Sequence, residues 1–349
     1  MTAPFAIAGR PIGPDHPPYV ICELSGNHNG SLERALAMID AAAATGCDAI
    51  KLQTYTPDTI TLASDASDFR ITEGPWAGRT LHDLYAEAYT PYDWHAALFD
   101  RARQRGVTIF STPFDATAVE LLESLGAPAY KIASFEAVDL PLIARVAACG
   151  KPMIVSTGLA SLDEMAAALA TAQNGGAAGV ALLHCVSSYP APIDEANVRT
   201  VPDLARRFGV VTGLSDHTPG SAASVAAVAL GAAIIEKHFT LARADGGPDA
   251  EFSLEPAEFT ALVRDCKAAW SALGSATYDQ LGSERAAAGH RRSLYVSAAV
   301  KAGETLTAAN VRSVRPGYGL PPKHLSQVLG RKAARDLNFG EPLAWDMLS

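Results

Sequence analysis

One pattern, repeated eight times, limits what this chain can fold into. A short apolar run with strand character is followed each time by a run with helical period. The strand-like runs are "YVICEL", "AIKLQTY", "TIFSTPF", "AYKIAS", "PMIVSTG", "VALLHCVSSYP", "VTGLSDHT" and "AIIEKHFT". Helical runs such as "SLERALAMIDAAAATG" and "SLDEMAAALATAQNGG" lie between them, and most stop at glycine, as helix C-termini prefer. Eight βα units spread over roughly 260 residues have the count and length of a (β/α)8 barrel. An open, doubly wound sheet is the alternative, but no GxGxxG follows the first strand run. Only residues 56–90, between the second and third units, break the rhythm.

The pattern stops near residue 275. Residues 276–290, "ATYDQLGSERAAAGH", are polar and read as a linker between a barrel over 1–275 and a small β-rich domain over 291–349. Within that domain "AGETLTAANV" and "FGEPLAWDML" share a form, which suggests a weak internal repeat. With 349 residues, 48% of them hydrophobic, the chain can fill a large core and a small one. The formal charge of −9, without any Lys/Arg-rich run, gives a nucleic-acid role little support. Five scattered cysteines with no CxxC pair suit reduced thiols in the cytoplasm. The N-terminus shows no secretory signal, and the apolar stretches are too short to span a lipid bilayer.

Polar groups cluster at one end of the strand runs. Glu23 ends the first; Lys51 and Gln53 share a face on the second; Thr112 is on the third; Lys131 and Ser134 are on the fourth; Ser156 ends the fifth. The sixth leads to Ser187 and Tyr189, the seventh carries Ser215 and His217, and the eighth carries Glu236 and His238. A lone strand-end Ser or Thr is usually a helix N-cap, and a lone His is often a satisfied core residue. Two inward lysines are harder to explain as packing, since Lys is almost never buried unpaired. Lysines among hydroxyls and helix N-termini suit a small multiply charged anion such as a phosphorylated carboxylate. Two histidines suit a divalent metal with open positions, and Glu23 and Glu236 are candidates for proton transfer or for support of that metal. Asp216 and Lys237, one residue before each histidine, should face outward on adjacent strands and pair there.

The motifs "ELSGNHNG", "IKLQTY", "STPFD", "AYKIAS", "STGLA", "SSYP", "GLSDHT", "EKHFT" and "RPGYG" follow the order found in the sialic acid synthases. The chain resembles that family from about residue 18 to 346, including its C-terminal antifreeze-like (SAF) domain. Within the family, "ELSGNHNG" (where neuraminate synthases tend to have "EIGINHNG"), "GPWAGRTLHDLYAEAYTP" and "RADGGPDAEFSLEP" resemble the branch that makes pseudaminic acid. The resemblance implies a metal-dependent condensation of phosphoenolpyruvate with the open-chain aldehyde of 2,4-diacetamido-2,4,6-trideoxy-L-altrose, with release of phosphate. It implies that Lys51, Thr112 and Ser134 hold the phosphate, and that Lys131, Ser156, Ser187 and Ser215 hold the carboxylate. It also implies that His217 and His238 bind the metal, Mn2+ first, with Mg2+ or Co2+ as alternatives. Gln53, Tyr189, Asp249 and Arg315 would face the sugar, and Glu23 would handle the water or its proton. Arg315 would reach the active site of the partner subunit, which makes the working unit a homodimer with exchanged SAF domains. Ser187 departs from the neuraminate synthases, which carry Asn there; the shorter side chain fits a different sugar. Rival readings are an N-acetylneuraminate or legionaminate synthase, a metal-dependent aldolase barrel with Lys51 as a Schiff-base lysine, and a non-catalytic SAF-type binding protein.

Overall fold

The computed structural model describes residues 4–74 and 76–349. Strands β1 (Phe5–Ile7) and β2 (Arg10–Ile12) form an antiparallel hairpin. Eight parallel strands follow: β3 (Tyr19–Glu23), β4 (Ala49–Thr54), β5 (Thr108–Pro113), β6 (Tyr130–Ile132), β7 (Met153–Ser156), β8 (Val180–Cys185), β9 (Val211–Asp216) and β10 (Ile234–His238). They close into a barrel in which β10 pairs back onto β3, with Glu236 opposite Ile21 and His238 opposite Glu23. All eight strand runs of the sequence are therefore barrel strands, and the open-sheet alternative is excluded. The chain divides into two compact units, residues 1–274 and 275–349.

Alternation along each strand sorts the side chains. On β3, Val20 and Cys22 face the helices, while Tyr19, Ile21 and Glu23 face the barrel interior. The interior is layered. Its lower part is apolar, built from Tyr19, Ile21, Ala49, Phe110, Ile154, Leu183, Val211 and Ile234. Ile7 and Ile12 of the hairpin join that cluster, so the N-terminal residues plug the floor. The sequence showed no sign of this, because three-residue strands carry too little periodicity. Gly213 of β9 is required by packing: a Cβ there would lie 2.2 Å from the Ile234 carbonyl oxygen and 2.8 Å from Leu183.

The outer face packs on helices that are stopped and started by their own sequence. Ser31, Asp115, Asp139 and Ser161 each cap a helix N-terminus with the side chain. Ser161 and Glu164 cap reciprocally, with Ser161 N–H donating to Glu164 Oε2 at 2.7 Å. The described residues of 56–90 include two short helices, Pro57–Ile60 and Leu81–Ala88, and a 3-10 turn, Ser67–Phe69. Among the described residues no helix is long and apolar enough to cross a membrane. The five cysteines are free thiols.

The second unit has one antiparallel pair, β11 (Ser293–Val296) and β12 (Val311–Val314), and isolated bridges at Val300–Leu337, Thr305–Lys332 and Ala333–Leu348. Its two related segments occupy equivalent structural positions. Gly303 and Gly340 both turn the chain at φ +81°. Leu306 and Leu343, then Val311 and Leu348, all enter its core. Residues 276–290, read as a linker, contain a 3-10 turn, Gly282–Glu284, running into a short helix, Arg285–Ala288.

Candidate active site

The upper layer of the barrel interior is polar on every strand. It begins with a buried charge cluster. Glu236 Oε1 lies 2.9 Å from Lys51 Nζ and 3.8 Å from Lys131 Nζ, and it accepts a hydrogen bond from Ser215 Oγ at 3.0 Å. Burial alone would raise the Glu236 carboxyl, but Lys131 and Lys51 outweigh it and hold the group down to about 2. Burial acts the other way on Lys51 and lowers it to about 8, even with Glu236 beside it. At neutral pH both stay charged. Lys131 also donates to Ser156 Oγ at 2.6 Å and to the Ile132 carbonyl at 2.9 Å. The lysines are thus paired and desolvated, and an arriving anion meets cations that need little reorganisation.

A cavity of about 570 Å³ opens above this cluster. All but three of the residues singled out from the sequence line it: Lys51, Gln53, Lys131, Ser134, Ser156, Ser187, Tyr189, Ser215, His217, Glu236, His238 and Asp249. The exceptions are informative. Glu23, fully buried, lies behind the wall, 3.0 Å from Lys51 Nζ and accepting from Gln53 Nε2 at 3.0 Å. Thr112 is also buried, and its hydroxyl has no partner among the described residues. Arg315 belongs to the second unit, where it is exposed and makes no ion pair among the described residues.

The strand-end hydroxyls do not cap helices; that task falls to the residues named above. Ser134 Oγ instead accepts from the Gly158 N–H at 3.2 Å. Gly158 leaves open a cradle between loops. A Cβ there would lie 2.2 Å from Ser187 Oγ and 2.8 Å from Ser134 Oγ.

His217 and His238 stand side by side, ring centroids 5.4 Å apart. His217 Nδ1 is 2.9 Å from the Val186 carbonyl, which can only accept, so Nδ1 carries a proton, and in the neutral ring Nε2 has a free lone pair. Burial, reinforced by the positive charges around it, drives His238 well below the ordinary imidazole range. Its buried Nδ1 has no hydrogen-bond partner among the described residues. Burial pulls the His217 ring down, but Cys185 and the Val186 carbonyl outweigh it and leave it above the ordinary imidazole value. Two imidazoles, one oriented by a backbone carbonyl and one with an orphaned nitrogen, fit a divalent metal, which would bind His217 in competition with its second proton. Among the described residues no group of three His, Cys, Asp or Glu side chains forms a complete ligand set, so other positions would be left for water or substrate.

Sequence reasoning missed the opposite wall. Ile60, Ile71, Trp76, Leu81, Leu84, Tyr85 and Phe114 give the cavity an apolar side, drawn largely from the irregular segment 56–90. Glu136 also lines the cavity, with burial raising its carboxyl to about 7 and Oε2 without a partner among the described residues. Ser25, Cys185 and Gly158 were also missed. Ser25 and Gly158 sit inside quoted motifs, "ELSGNHNG" and "STGLA", but nothing in their residue type marks them.

Comparison with known proteins identifies the family to which the chain belongs. The NeuB family model matches residues 38–278, and the SAF domain model matches residues 291–349. The chain is 45% identical over 325 residues to the pseudaminic acid synthase of Campylobacter jejuni, covering 93% of this chain and 95% of the relative. It is 42% identical to the pseudaminic acid synthase of Helicobacter pylori, covering 95% and 97%. A crystal structure of N-acetylneuraminic acid synthetase from Leptospira borgpetersenii superimposes with a TM-score of 0.74 at 31% identity, covering 82% of this chain and 95% of that one. The chain belongs to the NeuB family, with a SAF domain at its C-terminal end.

Proposed function

We propose that this protein is a cytoplasmic synthase that condenses phosphoenolpyruvate with 2,4-diacetamido-2,4,6-trideoxy-L-altrose to give pseudaminate and phosphate. The observation that carries the reading is one cavity lined by two paired lysines, two adjacent histidines and a set of apolar side chains. The lysine end suits a trianion. The apolar wall suits a sugar whose acetamido methyls and C6 methyl replace hydroxyls.

In this reading Lys51, Thr112 and Ser134 hold the phosphate, and the free hydroxyl of Thr112 is available to donate. Lys131, Ser156, Ser187 and Ser215 hold the carboxylate. His217 and His238 would hold a divalent ion, Mn2+ first, and a bound ion there supplies Lewis acidity to the aldehyde carbonyl. Gln53, Tyr189 and Asp249 orient the open-chain sugar so that its carbonyl carbon meets C3 of phosphoenolpyruvate. The new C–C bond forms as the double bond shifts, and the aldehyde oxygen takes a proton to become a hydroxyl. Positive charge then develops at C2 beside the carboxylate, with ionised Glu236 close by to stabilise it. Water adds at C2 and its proton passes to the Glu23–Lys51 pair. The C2–O bond to phosphate breaks as the C2 hydroxyl gives its remaining proton to the departing phosphate, leaving the ketone. Lys51 is paired to two carboxylates rather than free as an amine, which favours a charge-holding role over a Schiff base.

The second unit fits the same reading: Arg315 sits exposed on its Gly/Pro loop and would meet the sugar in the barrel of the partner chain of a homodimer. The test is phosphate release from phosphoenolpyruvate against a panel of amino-sugars, with and without Mn2+. The diacetamido-trideoxy sugar should turn over best, and the bridging 18O of labelled phosphoenolpyruvate should leave in phosphate. Absence of turnover with that sugar, or retention of 18O in the organic product, overturns the proposal.

A further inference from the structure

Ser25 follows β3 directly and is strained. Its φ is +47°, in the left-handed region where glycine is favoured. The residue is 4% exposed and lines the cavity. Its hydroxyl joins two groups that the proposed function gives to the sugar. Gln53 Nε2 donates to Ser25 Oγ at 3.0 Å, and Ser25 Oγ donates to Asp249 Oδ2. The same Gln53 amide donates to Glu23 Oε1 at 3.0 Å, and Asp249 Oδ2 lies 3.8 Å from His238 Nδ1. One hydroxyl thus links the end of the first barrel strand to the loop after the last.

Only a group that both accepts and donates can fill this place. Gly would suit the backbone better but would leave the amide and the carboxylate unconnected. Ala would keep the strain and lose the link. Strain retained at a buried, cavity-lining position points to a function for the side chain. The Asp249 loop is held independently: Ser253 Oγ donates to the Asp249 carbonyl at 2.6 Å, and Asn27 Nδ2 donates to Ser253 Oγ at 2.9 Å. Loss of the Ser25 hydroxyl therefore frees side chains and not the loop.

We infer that Ser25 is a positioning residue for the amino-sugar, locking the Gln53 amide and the Asp249 carboxylate into one orientation against the sugar's polar groups. This rests on the synthase reading above. The test compares wild type, Ser25→Gly and Ser25→Ala. Ser25→Gly should unfold at an equal or higher temperature, because the backbone strain is relieved. Its KM for the sugar should rise roughly tenfold or more, the loss expected when hydrogen bonds to a buried charge are misdirected. Its KM for phosphoenolpyruvate should stay within about twofold of wild type, since the anion cluster is untouched. Ser25→Ala should show the same KM split without the thermal gain. An unchanged sugar KM in both variants overturns the inference, as does a joint rise of both KM values with a lower unfolding temperature. A wild type that does not turn over the sugar sinks the synthase reading instead. Crystal structures then decide Ser25 alone: Gln53 and Asp249 keeping their wild-type rotamers in Ser25→Gly refutes the locking role.

Discussion

The pair Asp216–Lys237 offers the most direct check on how the two histidines are held. Both side chains are fully buried between the barrel and its helices, 3.0 Å apart on adjacent strands where Lys237 stands opposite Asp216. Two unit charges at that distance attract by about 5 kcal/mol at an effective dielectric of ~20. That gain is set against the desolvation of both, so the pair itself is worth far less than its breakage costs. Lys237→Met leaves Asp216 charged but still bonded by the Thr218 N–H at 2.8 Å, Thr218 Oγ1 at 2.7 Å and Ser224 Oγ at 2.6 Å. With three donors retained, the cost should fall near the low end for a broken buried pair, about 3 kcal/mol. Asp216→Asn leaves Lys237 with the carbonyl of Thr218 at 2.5 Å and a weaker one from Asp216 at 3.5 Å. Burial already lowers the Lys237 ammonium below its usual range, so in this variant it can shed its proton, which caps the cost at about 3 kcal/mol. The double variant buries no charge and should cost about 2–3 kcal/mol, well short of the sum, giving a coupling near 3 kcal/mol. Urea unfolding of the four proteins, followed by circular dichroism through the barrel transition, measures it. A coupling within about 0.5 kcal/mol of zero would show that the two charges act independently and refute the argument.

Three further outcomes follow from the geometry. Gly158→Ala places a methyl against Ser134 and Ser187, so KM for phosphoenolpyruvate should rise by roughly tenfold or more with the fold intact; an unchanged value removes the cradle from the anion site. Glu136 has a folded-state carboxyl pKa of about 7, above its ordinary value of 4.5. Its protonated form is therefore the favoured one: its contribution to stability is complete below about pH 4.5 and is lost as pH rises through 7. Relative to Glu136→Gln, wild type should lose about 1–3 kcal/mol between pH 5 and pH 8, partial exposure reducing the full shift; parallel stability profiles would contradict this. Finally, Lys51→Met and Arg315→Ala should each be nearly inactive alone. Under the proposed homodimer with exchanged SAF domains, the two mixed after dissociation should recover roughly a quarter of wild-type activity, because each mixed dimer would rebuild one intact site. No recovery on subunit exchange rules out an Arg315 supplied by the partner.

How much of this was legible in the sequence depended on how local each signal is. Barrel strands announced themselves because alternation is carried by consecutive residues: Lys51 and Gln53, or Glu236 and His238, share a face whatever lies elsewhere in the chain. The Asp216–Lys237 pair was legible for the same reason, since each lies one step from a histidine on neighbouring strands. The hairpin Phe5–Ile12 was not legible: its role is set by Ile7 and Ile12 meeting the barrel floor, which local pattern cannot show. The apolar wall was not legible either. Ile60, Ile71, Trp76 and Leu84 belong to a segment without steady period, and only its fold over the barrel mouth gathers them.

Glu23 shows where residue type misleads. A carboxylate at a strand end reads as a group facing substrate, yet Glu23 is fully covered by Lys51 and Gln53, and its reach into the cavity runs through them. Glu236, one strand away, has the same residue type and the opposite placement: it lines the cavity and sits between both lysines. The difference is register. His238 is opposite Glu23, so Glu236 lies one inward step lower on β10, level with Ile21. There it meets the lysine side chains that reach across the barrel. Glu23 stands one step higher, level with Lys51, whose own side chain lies against it. A one-residue slip of β10 against β3 would turn Lys237 inward and Glu236 outward, and would unmake the anion site and the histidine pair together. The outward salt bridge of Asp216 with Lys237 holds β10 in register against β9, and so opposes any such slip in which β10 moves alone. The buried pair on the outer face and the chemistry on the inner face are therefore consequences of the same strand alignment.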